Sequence, residues 1–420
     1  MKITKMNNML LKFAGSALLI AALLGTGFAG TKKAATAPAQ PAIDLNKLVW
    51  PPEPDVARIK YQTMYSGEDD LNPAGVKKHK ATWMDKAAGV SLPQEDGKPR
   101  LQAPYGAAFD SKGHIYVADA KAGAVFIFNV ESKKVEYRGF QNLSLPSSLA
   151  IDDADRLFVS DSNAHDIFVF TPDGKIEGGF GQDQLERPVG LAIDNENRYL
   201  YAVDAKANRV AVFDADSLQF LRYVGKSKGK DVLEPGVLDR PIGAAVDSEG
   251  NLYITDTFNA RVQVFDADGN FLRMWGKPGN TAGCFMRPKG IAIDRDDHIY
   301  VVDAEFNNVQ VFNTEGEALL FFGGRGLGPG VFTLAVGIAV DKQSNRIVVT
   351  EQWSPKIQIF SYVTDEAAKP LYQKKAKDAA EAKAKLAEKA AGLGKADDKA
   401  AAVQDGKAGD TPATKDSATK

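Results

Sequence analysis

Six times between Ala103 and Val363 the chain returns to one pattern, so it must build one supersecondary unit six times over. The clearest copy begins at Arg287: RPKGIAIDRDDHIYVVDAEFNNVQVFNTEGEALLFFG. It contains four short runs, Ile291 to Ile293, Ile299 to Val302, Val309 to Phe312 and Ala318 to Phe322, separated by Asp, Asn or Gly. Runs rich in β-branched and aromatic residues between such turn residues predict strands. Equivalent copies begin at Leu145, Arg187 and Arg240, and looser ones at Ala103 and Thr333. The first marker acid of each copy is Asp110, Asp152, Asp194, Asp247, Asp294 and Asp341, a period of 42 to 53 residues. The second is Asp119, Asp161, Asp204, Asp256, Asp303 and Glu351, each followed six positions later by an aliphatic residue.

One four-strand meander cannot bury both its faces, and its neighbours must cover them. Repeats of this length with four strands each predict a propeller, in which radial blades pack face to face. The expected fold is all-β: a six-bladed β-propeller of four-stranded antiparallel blades over residues 103–363. The G-(I/L/A)-A-(I/V)-D and Y-(I/V)-x-D runs, the turns Ala207-Asn208-Arg209 and Asn259-Ala260-Arg261, and the V-Q-V-F strand resemble the NHL-repeat family of six-bladed propellers. The resemblance implies interaction with a partner rather than chemistry. Blade six departs from it, with Thr333-Leu334 in place of Arg-Pro and Glu351 in place of Asp.

The ends of the chain read differently. Lys2, Lys5 and Lys12 precede an apolar run from Phe13 to Leu24 and a Gly-Thr-Gly-Phe-Ala-Gly stretch, the layout of a secretory signal peptide over residues 1–30, with cleavage after Ala29. A flexible tether over 31–47 and an exported, periplasmic or extracellular protein follow as expectations, with no stable membrane span in the mature chain. Within 48–102, Ile59 to Tyr65 alternates like a fourth strand, and blade six has only three, so this segment is expected to close the ring. Val76 to Val90 has helical spacing. The 364–420 tail is rich in Ala and Lys, predicting helix from Glu366 to Ala391 and disorder beyond Gly392.

Composition narrows the chemistry. With 52 basic against 54 acidic residues, the chain is not built for bulk phosphate neutralisation, and no nucleic acid partner is expected. The single cysteine, Cys284, excludes an internal disulfide framework and reads as a partly buried free thiol. His114 and His298 fall at equivalent places in blades one and five, which argues for a turn role; His165 lies in another turn. No G-x-S-x-G elbow or P-loop is present. The second marker acids recur in every blade, so they read as structural, accepting backbone N–H bonds. No catalytic residue, metal ligand or cofactor is predicted. A Ca²⁺ or Zn²⁺ in the channel would need non-repeating acids or histidines to converge there.

What breaks the symmetry lies on one face, where the loops leading into each first strand and those following each second strand emerge. Arg187, Arg240 and Arg287 precede Pro on three consecutive blades; Tyr105, Lys289, Phe258, Phe306 and Trp353 differ from blade to blade. Arg and aromatic side chains are enriched at recognition hot spots. Alternatively each Arg pairs with a neighbouring blade's Asp and locks the ring. The expected function is an exported, non-catalytic binding or scaffold module for a protein or peptide in the cell envelope. Two other readings remain open: a metal-dependent hydrolase or lyase, similar to propellers of the lactonase or amidating-lyase type, and a carbohydrate or polyanion binder.

Overall fold

The structure, a computed structural model, describes residues 43–73, 99–227, 231 and 233–404. Each repeat folds as its alternating runs predict, into an antiparallel sheet ordered from the channel outward in sequence order. Blade one comprises Pro104–Phe109, Ile115–Asp119, Ala124–Asn129 and Lys134–Arg138, and blades two to five follow the same plan. The inner strands of the first five blades open on Pro104, Pro146, Pro188, Pro241 and Pro288. Proline lacks a ladder donor and is tolerated at a strand's first residue, and a register shift follows at once in each case.

Burial follows position in the blade. The second strands of blades one, two, four and five are buried from end to end, because neighbouring blades cover both faces. The outer strand Phe271–Trp275 instead alternates between half-buried and exposed. Six apolar clusters fill the six blade junctions, each drawing on two neighbours. Phe158 and Ile167 of blade two, for example, pack with Leu200 and Phe213 of blade three. Each such side chain, fully removed from water, contributes about 1.5–3 kcal/mol.

Ile59–Tyr65 pairs antiparallel with Lys356–Tyr362 and supplies the fourth strand of blade six, as the alternation of that segment predicts. A fifth strand, Val49–Trp50, adds outside it, with Trp50 set against Phe322 and Phe360. Proline-rich sequence gave no sign of that pairing. Arg58 seals the join: its Nε donates to the Val363 carbonyl at 3.0 Å and its guanidinium to the Asp365 carboxylate at 2.5 Å. A short helix, Glu68–Leu71, buries Leu71 at the junction of blades six and one. The helix expected over Val76 to Val90 lies outside the described residues.

Thr364 caps the C-terminal helix Asp365–Gln404, its Oγ1 accepting from Ala367 N–H at 3.3 Å. The helix runs through Gly392 and Gly394 to Gln404, past the end expected at Gly392. Each interior glycine costs about 1 kcal/mol relative to Ala, which the surrounding Ala- and Lys-rich run offsets. Between Lys369 and Ala387 every side chain is exposed. Among the described residues no helix is long and apolar enough to cross a membrane.

Candidate functional site

The channel wall is built from backbone. Four residues before each first marker acid stand Gly106, Ser148, Gly190, Gly243, Gly290 and Gly337 on the six inner strands. A Cβ on Gly190 would lie 2.2 Å from the Ile242 carbonyl oxygen, and one on Gly337 2.0 Å from that of Tyr105. These positions let adjacent inner strands touch. Hydroxyls of the even blades then bind the next blade: Thr255 Oγ1 donates to the Lys289 carbonyl at 2.6 Å, Thr257 Oγ1 to that of Pro288 at 2.7 Å, and Thr350 Oγ1 to that of Tyr105.

Both sets of marker acids hold loops. Asp119 accepts from the backbone N–H groups of Gln102, Ala103, Lys121 and Ala122, tying the lead-in loop to the turn after the second strand. Asp161, Asp204 and Asp303 repeat this. Asp256 and Glu351 each keep one lead-in donor, the N–H of Asp239 and of Thr333, and add a buried cation: Arg261 Nε donates to Asp256 at 2.8 Å and Lys356 Nζ to Glu351 at 3.0 Å. Burial nonetheless raises the Glu351 carboxyl above its ordinary value. On the opposite side of each blade every first marker acid has a side-chain donor: His114, Arg156, Asn197, Asn251, His298 and Arg346 in turn. The two equivalent histidines are therefore turn donors. Among the described residues no group of three or more His, Cys, Asp or Glu could hold a metal.

Sequence reasoning missed three glutamines. Gln263, Gln310 and Gln358 stand seven residues after the second acid in blades four, five and six, where Phe126, Phe168 and Ala211 stand in the others. Their Oε1 atoms accept from Gly236, Gly283 and Gly330 N–H at 2.8–2.9 Å. Their Nε2 atoms donate to the carbonyls of Val237, Cys284 and Val331 at 2.7–2.8 Å. These are the blades with long lead-in loops, and that coincidence was visible in the sequence. Cys284 is buried at the position that Val237 and Val331 hold in blades four and six, and its Sγ lies 3.2 Å from Thr281 Oγ1.

The channel encloses a cavity of about 1020 Å³. Tyr105, Arg187, Arg240, Arg287, Lys289 and Phe258 line it; Phe306 and Trp353 do not. Phe306 is half-buried in its turn and Trp353 stands 68 % exposed. The wall also carries Val189, Ile242, Ile293 and Ile338, and its single acid among the described residues is Asp239. The expected alternative of Arg–Asp locking does not occur. Among the described residues, the guanidinium groups of Arg187 and Arg287 and the Lys289 ammonium have no hydrogen-bonding or ion-pair partner, and Arg240 only stacks on Phe258, 4.9 Å from its centroid. Lys206, by contrast, pairs with Glu186 at 3.2 Å. Burial, helped by the neighbouring Arg287 charge, lowers the Lys289 ammonium below its ordinary value. The corresponding positions on blades six, one and two are Leu334, Ala103 and Leu145, so positive charge occupies one half of the mouth. Guanidinium forks and an ammonium set in this way can receive carboxylate or phosphate oxygens.

Comparison with known proteins agrees on architecture. The chain is similar to a structural-genomics protein of unknown function from Bacteroides thetaiotaomicron: 15 % identity, TM-score 0.51, 62 % of this chain and 70 % of the other. It is as similar to an auxiliary nutrient binding protein of the same organism, at 15 % identity and TM-score 0.51 over 64 % of this chain and 71 % of the other. A virginiamycin B lyase from Staphylococcus aureus follows at 16 % identity and TM-score 0.47, over 62 % and 96 %. At such identities the likeness is one of fold. No curated protein matches. The sequence profile of the 6-bladed beta-propeller family matches residues 142–224, 240–305 and 295–376, just over half of the chain, and the chain belongs to that family.

Proposed function

We propose that this propeller is an exported, non-catalytic binding or scaffold module of the NHL-repeat type, whose recognition surface for an envelope protein or peptide is the Arg-bearing mouth of the channel. The observation that carries the reading is the set of cations at that mouth without acid partners among the described residues, beside the exposed Phe258. Charges that lock a fold are paired within it, whereas charges left open beside an aromatic are what a partner can use. Loops fixed to a rigid ring by buried glutamines present this surface with little ordering cost. A metal-dependent hydrolase or lyase draws less support, because such chemistry needs ligands converging in the channel, and among the described residues its lining carries one acid.

The test is capture from envelope extract on immobilised protein, comparing the native chain with Arg187→Gln/Arg240→Gln/Arg287→Gln. Loss of a specific partner with the triple variant supports the reading, and identical capture by both overturns it. Fractionation and N-terminal sequencing of the native protein address export: a mature chain beginning at Gly30 is the expected result.

A further inference from the structure

The mouth has a chemistry that narrows its ligand, and this step rests on the binding role just given. We propose that the half-ring at blades three to five takes an acidic peptide segment with apolar side chains, its carboxylates on Arg187, Arg240, Arg287 and Lys289 and its apolar groups against the channel wall.

Charge complementarity is the first reason. Four cations converge on half of one opening, and among the described residues the lining offers one acid, Asp239. A half-buried ammonium has lost hydration without gaining a counter-charge from the described residues, and a ligand carboxylate restores what burial removed. The wall below is the second reason. Val189, Ile242, Ile293 and Ile338 give it an apolar surface, and a cavity of about 1020 Å³ far exceeds the size of a single small anion. A segment that alternates Glu with Leu satisfies rim and wall together. Nucleic acid fits less well. Its binding draws on a stripe of cations following many phosphates, whereas these are confined to one side of one opening on a chain of formal net charge −2.

The experiment measures fluorescence anisotropy of a labelled ten-residue peptide of alternating Glu and Leu on the full chain, beside the matching Gln–Leu peptide. Inorganic phosphate and a twelve-base-pair DNA duplex serve as competitors. The Glu–Leu peptide should bind at least about tenfold more tightly than the Gln–Leu one, since charge-assisted hydrogen bonds of this kind typically contribute 1.5–3 kcal/mol. The variant Arg187→Gln/Arg240→Gln/Arg287→Gln should abolish that difference, while Lys342→Gln, also on the lining but not among the four cations, should preserve it. Among the described residues none of the three guanidinium groups donates a hydrogen bond, so the triple variant should melt with the native chain, and its melting curve separates lost binding from lost folding. Equal binding of the two peptides, no binding of either, or displacement by DNA or phosphate at concentrations equal to the peptide's would overturn the proposal. The binding role itself fails separately: if the envelope partner is still captured by the triple variant, the face is wrong. If capture needs the arginines while the Glu–Leu preference is missing, only the ligand class is wrong.

Discussion

His298 Nδ1 and Asn251 Nδ2 stand at equivalent turns, each 3.0 Å from its marker acid, yet only the imidazole titrates near neutrality. The hydrogen bond to Asp294 raises the His298 imidazole above its ordinary 6.5, ahead of the opposing effect of burial. Burial of Asp294 acts to raise its carboxyl, but the bonds it accepts from His298 and Tyr300 outweigh this and hold it below 3.8. A raised histidine contributes stability that is complete below its unfolded value and lost as pH rises through the folded value; the lowered Asp294 contributes stability lost only in acid, as pH falls through its folded value. Urea midpoints should therefore decline from pH 6.5 upward by an increment that His298→Asn removes, since asparagine keeps the bond without titrating. A similar argument applies to Gln310. Truncation to Ala leaves the Gly283 N–H and the Cys284 carbonyl without their partner, at about 1–3 kcal/mol per buried group, read as a fall in urea midpoint.

Blades form where local rules agree, and the ends of the chain test that most sharply. Alternation in Ile59 to Tyr65 was legible as a strand and its partner followed from counting, because blade six lacked one. The pairing of Val49–Trp50 was not legible: two residues beside prolines carry no periodicity, and their partner is a strand edge created by the ring itself. A chain beginning at residue 67 should expose the Lys356–Tyr362 edge and associate, which light scattering after size exclusion would detect as species above monomer mass. The other end is the opposite case. Beyond Tyr372, whose side chain bonds to Arg58, the described side chains of the helix are exposed, so truncation after Ala376 should leave the melting temperature unchanged.

At the scale of the molecule, the ring depends on how closely six inner strands approach. The repeat announced the blade number, but not that five glycines and one serine set the channel's width, because a Cβ clash with the next blade appears only once the blades are assembled. Gly190→Ala should cost about 1–3 kcal/mol, or more if the Ile242 carbonyl cannot yield, measured by denaturant unfolding. The mouth was legible residue by residue in Arg187, Arg240 and Arg287, whereas their lack of acid partners among the described residues is a property of the assembled ring. The same assembly brings the segments before the first blade and at the end of the last one together. Ile59 faces Tyr362 at one end of the closing ladder, and Tyr65 faces Ile357 at the other. Tension applied at residues 58 and 363 would thus peel this ladder one hydrogen bond at a time from its fork, where Arg58 is the first lock to break, instead of shearing all its bonds at once.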